Sequence, residues 1–139
     1  MRYLGVDPGG KRIGLAVGDD ATGVTSPLDI VPYEGVVRAA QRIAAMASKI
    51  GAERVVLGLP TLENGTRGPA SRRTDRLAQA LAVLGVEVAF QSEFLSTDEA
   101  RRRASAAGRS SRQPVDDIAA QVLLEEHLAT SPAAPPSEH

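Results

Sequence analysis

The chain has 139 residues and a net charge of −1, with 16 basic and 17 acidic side chains, which is the size of a single domain. It contains no cysteine and two histidines, which excludes disulfide scaffolds and thiol nucleophiles and argues against zinc catalysis. No stretch approaches the roughly 20 apolar residues of a membrane span, and the N-terminus lacks a signal-peptide pattern, so we expect a cytoplasmic protein.

The first quarter of the chain predicts three strands joined by short turns. Residues 2–6 form an apolar run that ends at Asp-Pro-Gly-Gly, which is typical of a tight turn. A glycine-rich run over 13–18 predicts the second strand. Residues 24–31 predict a third strand, and Pro27 favours an edge position for it. The short connections indicate an antiparallel meander.

After residue 35 the pattern alternates between helix and strand. Apolar residues at helical spacing indicate helices with one inner face, and Leu77, Leu81 and Leu84 are expected to face inward on the second of them. Glycines at 51 and 85 are expected to end the first two helices. In order, the sequence predicts a helix over 36–50, a strand over 54–59, a helix from about 69, a strand over 86–90, a helix from 98 and a helix over 115–129.

Strand–helix–strand order implies parallel pairing with helices packed on the sheet. We therefore expect an α/β fold over residues 1–130, with a five-stranded mixed sheet of three antiparallel strands followed by a parallel β-α-β segment, flanked by helices. The tail, 131–139, contains three prolines and no apolar periodicity, which predicts disorder.

Acidic residues fall at the ends of three predicted elements. Asp7 follows the first strand, Glu93 lies just beyond the fifth, and Asp116 opens the last helix with Asp117. Ligands of open α/β sheets bind beyond the carboxyl ends of the strands, and carboxylates suit Mg²⁺. Each acid also has a structural interpretation: Asp7 as a turn residue, Asp116 and Asp117 as partners of a helix dipole, and Glu93 as an exposed loop acid. For each acid taken singly, spacing alone favours the structural interpretation, and composition does not show that the three acids converge.

Two segments of the chain are rich in arginine, whose guanidinium group can bind phosphate through two parallel hydrogen bonds. Residues 67–76 contain four arginines and one acid, and residues 101–112 contain five arginines and no acid. Taken alone, the two clusters favour a solvated helix face over a phosphate-binding surface. The scarcity of aromatic residues argues against extended base stacking, although Phe94, beside Glu93, could stack on a base or simply be an apolar rim residue. His127, in the last predicted helix, is interpreted as structural.

Residues 4–16, Leu-Gly-Val-Asp-Pro-Gly-Gly-Lys-Arg-Ile-Gly-Leu-Ala, resemble the opening of the YqgF family of bacterial Holliday-junction-resolvase-like proteins and pre-16S rRNA nucleases. The resemblance continues in the same order to about residue 128. It is carried by Leu-Gly-Leu-Pro at 57–60, Asn-Gly at 64–65, Gly-Pro at 68–69, Ser-Glu-Phe-Leu-Ser-Thr-Asp-Glu-Ala at 92–100 and Val-Asp-Asp-Ile-Ala-Ala at 115–120. The resemblance implies a ribonuclease-H-like fold and a divalent-metal nuclease.

The family's acidic triad maps onto Asp7, Glu93 and Asp116, which the resemblance implies as catalytic residues and as ligands of Mg²⁺ or Mn²⁺ in a two-metal site. The residues expected to contact nucleic acid are Lys11, Arg12, Arg67, Arg101, Arg102, Arg103, Arg109 and Arg112. The chain departs from the family at Ser92 and Asn64, where the family has Asp, and at Phe94, where it has Arg. These departures concern substrate contacts more than metal binding.

Three functions follow as hypotheses. The first is a metal-dependent nuclease that processes the 5′ end of structured precursor 16S rRNA. The second is a resolvase of branched DNA that acts on four-way junctions as a homodimer, and the third is a non-catalytic nucleic-acid-binding module. Retention of all three acids argues against the third. The sequence leaves open whether the chain is a monomer or a homodimer, and we expect no membrane partner.

Overall fold

The computed structural model describes residues 1–59, 71–92, 96–110 and 112–130. Within these ranges the chain forms five strands and four helices. Their bounds are β1 Arg2–Pro8, β2 Arg12–Asp19, β3 Thr25–Pro32, α1 Val36–Ile50, β4 Arg54–Leu59, α2 Ser71–Val83, β5 Val88–Ser92, α3 Ser96–Ala106 and α4 Asp116–Thr130.

The five strands form one mixed sheet in the order β3-β2-β1-β4-β5. Strand β2 pairs antiparallel with β1 and β3, whereas β1–β4 and β4–β5 are parallel. This confirms the expected α/β architecture and the edge position of the third strand. The register aligns Val6 with Leu57 and Leu57 with Phe90, so β1, β4 and β5 all end at the same edge of the sheet.

Side chains alternate between the two faces of the sheet because successive residues of a strand point in opposite directions. Leu4 and Val6 of β1, with Ile13 and Leu15 of β2, are fully buried in a core shared with α1 and α2. On the opposite face α4 covers the sheet, where Ala120 and Leu124 pack with Tyr3, Ala16 and Val56. Helix α3 packs on α4 through a small apolar cluster, in which Ala100 and Ala104 meet Val115, Ile118, Ala119 and Val122.

Helix α4 lies unusually close to the sheet because the residues beneath it are glycines. A Cβ atom placed on Gly14 would lie 1.8 Å from the carbonyl oxygen of Asp116, and one on Gly5 would lie 3.0 Å from that of Ala120. Glycine within a strand often marks such a close backbone approach. The first turn of α4 therefore rests directly on β2.

The last strand begins two residues later than the sequence predicts, at Val88 rather than at residue 86. Gly85 adopts a φ of 82°, and the Val86 amide donates a hydrogen bond back to the Leu81 carbonyl over 3.0 Å. These are features of a glycine-terminated helix end, so Val86 belongs to the cap of α2. The expectation that Leu84 faces inward is also wrong: it follows α2 and is 49% exposed, whereas Leu77 and Leu81 are fully buried.

Two predictions fall on residues that the structure does not describe: the start of the second helix near 69, with the loop before it, and the disordered tail over 131–139. Helix α3 begins at Ser96 and α4 at Asp116, within two residues of the predicted starts. Among the helices that the structure describes, none is long and apolar enough to cross a bilayer.

Candidate active site

Asp7 lies within strand β1 rather than in the turn that follows it. It is paired in register with Gly14 of β2 and is partly buried. The hairpin turn comes two residues later, where the Gly9 amide donates to the Arg12 carbonyl over 2.9 Å. The interpretation of Asp7 as a turn-forming residue is therefore wrong. Asp7 lies at the end of a central strand, on the sheet face that α4 covers. Pairing with β2 fixes its backbone.

Asp116 is brought to Asp7 by the close packing of α4 on Gly14. Since Gly14 is the residue directly opposite Asp7, and its Cα faces the backbone of Asp116, the two acids converge on one place. Both line a cavity of about 230 Å³. Its lining residues are Asp7, Arg12, Arg101, Arg112, Gln113, Pro114, Val115, Asp116 and Ala119.

The Asp116 carboxylate is held between the hairpin and the cavity. The Nε–H of Arg12 donates to its Oδ1 over 3.2 Å, and the Asp116 side chain is 18% exposed. Its Oδ2 would lie 3.4 Å from a Cβ atom on Gly9, so the β1–β2 turn passes directly beside this oxygen. One oxygen of this carboxylate is therefore already in contact with a positive group.

The neighbouring acid, Asp117, has a different environment. Its side chain is 12% exposed and accepts two hydrogen bonds of 2.9 Å from the guanidinium of Arg109. Arg109 also donates to the Pro114 carbonyl over 3.1 Å. Hydrogen bonding to Asp117 raises the pKa of Arg109. Asp117 therefore fastens the loop before α4 to the helix, and it is not among the residues that line the cavity.

The arginines of the 101–112 segment divide into two groups. Arg101 and Arg112 line the cavity with the two acids. Arg102 pairs with Glu99 over 2.7 Å, and Arg103 bridges Glu99 and Glu125. Bonding to Arg103 lowers the pKa of Glu125. Three of the five arginines, counting Arg109, are therefore engaged with carboxylates of the same chain.

The remaining residues that the sequence predicts for the site either lie outside the cavity lining or fall outside the described residues. Lys11 lies exposed on the β1–β2 hairpin, beside Arg12 but outside the cavity lining. Arg67, Glu93 and Phe94 lie outside the described residues. Strand β5 ends at Ser92, whose register partner is Leu59 at the end of β4. Among the residues that are described, no three acidic, histidine or cysteine side chains form a group that could hold a metal ion.

His127 is buried beneath the sheet and lies apart from the acidic cavity. It is 9% exposed, its ring meets that of Tyr3 edge-on at 6.0 Å, and its Nδ1 lies 3.2 Å from the Gln91 side-chain oxygen. Burial lowers its pKa, and the nearby Arg54 adds to the effect. These contacts agree with the structural interpretation of this histidine.

Sequence reasoning missed the residues that shape the site without carrying charge. Gly14 determines where Asp116 lies, and Gln113 and Pro114 form part of the cavity wall. The available signal was a glycine in the middle of a predicted strand, which indicates that another backbone approaches closely.

The donor chemistry of the cavity fits a hard divalent cation. Carboxylate oxygens are the ligands that Mg²⁺ prefers, and one or two of them suffice when substrate and water complete the shell. The two acids supply these oxygens, and the three arginines at the cavity supply charges of the sign that attracts phosphate. Oxygen donors of the kind that a divalent ion prefers thus lie beside guanidinium groups of the kind that a phosphodiester prefers.

The chain is similar to known nucleases over nearly its whole length. Residues 1–130 match the family described as "RuvX: Holliday junction resolvase". A relative from Anaeromyxobacter dehalogenans is 40% identical over 132 residues and one from Chloroflexus aggregans is 32% identical over 129. The matches cover 92% and 90% of this chain and 96% and 91% of the relatives, both of which carry the name "Putative pre-16S rRNA nuclease".

Solved structures show the same fold at low identity. Thermus thermophilus RuvC in complex with a Holliday junction superposes with a TM-score of 0.59 at 16% identity, covering 91% of this chain and 92% of RuvC. The fowlpox virus Holliday junction resolvase gives a TM-score of 0.59 at 15% identity, covering 94% of this chain and 100% of the resolvase. These likenesses establish a RuvC-like ribonuclease H fold.

Proposed function

Since the chain belongs to the RuvX (YqgF) family, and is therefore a hydrolase of phosphodiester bonds, we propose that it processes the 5′ end of precursor 16S rRNA in the cytoplasm with divalent metal ions. The relatives' name, pre-16S rRNA nuclease, supports this substrate. The observation that carries the proposal is the convergence of Asp7 and Asp116, which are 109 positions apart in the sequence, on one cavity that arginines also line.

In this proposal Asp7 and Asp116 hold Mg²⁺ or Mn²⁺, and Glu93 completes the acidic set. Asp7 is suited to a central position because strand pairing holds its backbone. Glu93 directly follows β5 in the sequence, and β5 ends at the same sheet edge as β1, which supports its inclusion. When bound, divalent ions supply an activated water and offset the charge that develops on the phosphate.

The chain's own groups prepare the substrate. Arg12, Arg101 and Arg112 stand around the acids, so a phosphodiester that enters the cavity meets guanidinium groups that balance its charge and orient it. Lys11 and Arg67 are proposed to contact the backbone further from the cavity. Arg12 would be available to a phosphate if its contact with the Asp116 carboxylate were replaced by a cation.

The test is cleavage of a precursor 16S rRNA fragment with Mg²⁺ or Mn²⁺ by the wild-type chain and by Asp7→Asn, Asp116→Asn and Glu93→Gln variants. Each variant is expected to lose cleavage by on the order of 100-fold or more, because each removes a carboxylate that is proposed to hold the divalent ions. Glu53→Gln is the matched control: it removes one exposed acid at the amino end of β4, opposite the cavity, and should cleave at the wild-type rate. Retained cleavage in Asp7→Asn would refute the proposal.

Resolution of branched DNA is the alternative, and the family description favours it. A synthetic four-way junction, tested beside the rRNA fragment under the same metal conditions, separates the two. Symmetric paired nicks in the junction, without cleavage of the RNA, would establish the resolvase function and a dimer with two active sites. Binding of either substrate without metal-dependent cleavage would indicate a non-catalytic module.

A further inference from the structure

We infer that Arg101 and Arg112 are the two arginines of the 101–112 segment that bind the sugar–phosphate backbone of the substrate, and that Arg102, Arg103 and Arg109 are paired instead with carboxylates of the chain itself. The inference deepens the proposed function and rests on it for the identity of the ligand. It divides a cluster of five chemically identical side chains by what each one contacts.

Arg102, Arg103 and Arg109 already have carboxylate partners in the folded chain. The guanidinium of Arg103 lies 2.6 and 2.8 Å from the two carboxylate oxygens of Glu125 and 3.0 Å from Glu99. Glu125 also accepts a hydrogen bond from Thr25 over 3.1 Å. These bonds tie α3 to α4 and to β3. If Arg103 turned to a phosphate, it would leave a half-buried carboxylate without its strongest donor, which is unfavourable.

Arg109 and Arg102 also pair with carboxylates of the same chain. Both terminal nitrogens of Arg109 bond to Asp117, which is buried. Arg102 donates twice to Glu99, over 2.7 and 3.2 Å. Because each of these guanidinium groups faces a carboxylate, its charge is largely balanced and attracts a distant phosphate only weakly.

Arg101 and Arg112 differ from the other three in both position and partners. Both are exposed, and both line the cavity that contains Asp7 and Asp116. In the part of the chain that the structure describes, neither side chain forms an ion pair. A cavity with two carboxylates repels a polyanion, so uncompensated positive charge at its rim is what allows a phosphodiester to approach.

Arg101 also connects the acidic cavity to a second cavity of about 140 Å³. Arg101, Gln113 and Val115 line both, and Ser105 and Ser110 add hydroxyl groups to the second. Ala104 and Arg109 also line the second cavity. Arg101 therefore lies between the acidic cavity and the surface of α3, where it can contact the backbone of a bound strand.

The experiment measures binding without cleavage. A fluorescein-labelled RNA hairpin with a single-stranded extension is titrated in EDTA, from 50 to 200 mM KCl, with the wild-type chain and the Arg101→Ala, Arg112→Ala and Arg102→Ala variants. Each lost phosphate contact is expected to weaken binding roughly tenfold and to lower the slope of log affinity against log salt by about 0.7 to 0.9. Arg102→Ala removes the same charge from the adjacent position of the same helix, so it is the matched control and should keep the wild-type slope.

An equal loss of slope in Arg102→Ala, an unchanged slope in both cavity variants, or a wild-type chain without salt-dependent binding would overturn the inference. Arg101→Lys and Arg112→Lys should recover part of the affinity, and thermal unfolding of each variant verifies that it is folded. The outcome is independent of the cleavage test. Cleavage with unchanged slopes refutes this inference alone, whereas reduced slopes without any cleavage refute the proposed nuclease function and leave the binding site standing.

Discussion

The guanidinium of Arg12 lies 3.2 Å from the carboxylate of Asp116 through its Nε, although the two residues are 104 positions apart. The contact joins the β1–β2 hairpin to the first residue of α4 across the acidic cavity. It places a protein cation on an oxygen that the proposed function assigns to a metal ion. Arg12 and the metal ion therefore compete for the same carboxylate.

We expect Arg12→Ala to bind Mn²⁺ more tightly than the wild-type chain and to bind RNA more weakly. The metal affinity should rise about two- to fivefold, because the Arg12 side chain is 47% exposed and ion pairs with an exposed partner are weak. Isothermal titration with Mn²⁺ measures the first effect, and RNA titration measures the second. Lys11→Ala removes the same charge from the same hairpin without touching Asp116. If it raised the metal affinity as much as Arg12→Ala does, the direct contact would be irrelevant.

Replacing Gly14 with alanine should disturb the site through the backbone. The new Cβ atom would lie 1.8 Å from the Asp116 carbonyl oxygen, so α4 must move away from β2. We expect a loss of about 1–3 kcal/mol in the free energy of unfolding. We also expect a smaller increase in Tm on addition of Mn²⁺, because Asp116 moves with the helix.

Gly10→Ala is the control for that substitution. It lies on the same hairpin, and the nearest atom to its new Cβ is the end of the Arg73 side chain at 4.0 Å. Urea unfolding should show little change for this variant. If Gly14→Ala kept the wild-type stability and the full metal-induced increase in Tm, the close packing of α4 on Gly14 would be contradicted.

Arg109→Ala should destabilise the chain by about 1–3 kcal/mol, because it leaves the buried Asp117 carboxylate without its two charged donors. Arg102→Ala should cost clearly less, since Arg102 pairs with Glu99 at the surface. Chemical denaturation at pH 7 compares the two. The double variant Arg109→Ala with Asp117→Asn should lose less than the sum of the two single losses; strict additivity would show that the pair does not contribute as a unit.

The buried imidazole of His127 should make stability depend on pH. Its pKa in the folded chain is below the ordinary value of 6.5, so the unfolded chain binds the proton more tightly. The contribution of the neutral imidazole to the free energy of unfolding is therefore fully present above pH 6.5, and it is lost as the pH falls toward the folded-state pKa. His127→Gln should flatten the unfolding free energy across that window. Both chains keep His139, so a profile in the variant that is as steep as in the wild type would exclude His127 as the cause.

Most of the architecture was predictable because it depends on local pattern. The mixed sheet, the edge strand with Pro27 and the helices over 36–50 and near 115–129 follow from apolar periodicity and turn residues, which act over a few positions. The predicted start of β5 was wrong by two residues, and the cause is again a contact between residues close in the sequence. Val86 is apolar and resembles a strand residue, but its amide completes the cap of α2, and this competition between a helix end and a strand start is not visible in composition.

The candidate site was predictable in its residue types but not in its arrangement. Asp116 and Asp117 are adjacent acids with the same local pattern, and only the seating of α4 on Gly14 directs one to the cavity and the other to Arg109. In the same way, five arginines with one charge and one shape acquire different roles because Glu99, Glu125 and Asp117 approach three of them.

Residue order was enough to predict the kind of fold, to name candidate acids and to give the sign of charge around them, since these depend on chemistry carried by each side chain and on periods of two and about four residues. Folding in three dimensions decided which acids meet, which arginines remain available to a phosphate and how near α4 approaches the sheet. Those outcomes depend on contacts between residues separated by as many as 109 positions. A local sequence pattern does not determine how closely a helix packs on a sheet.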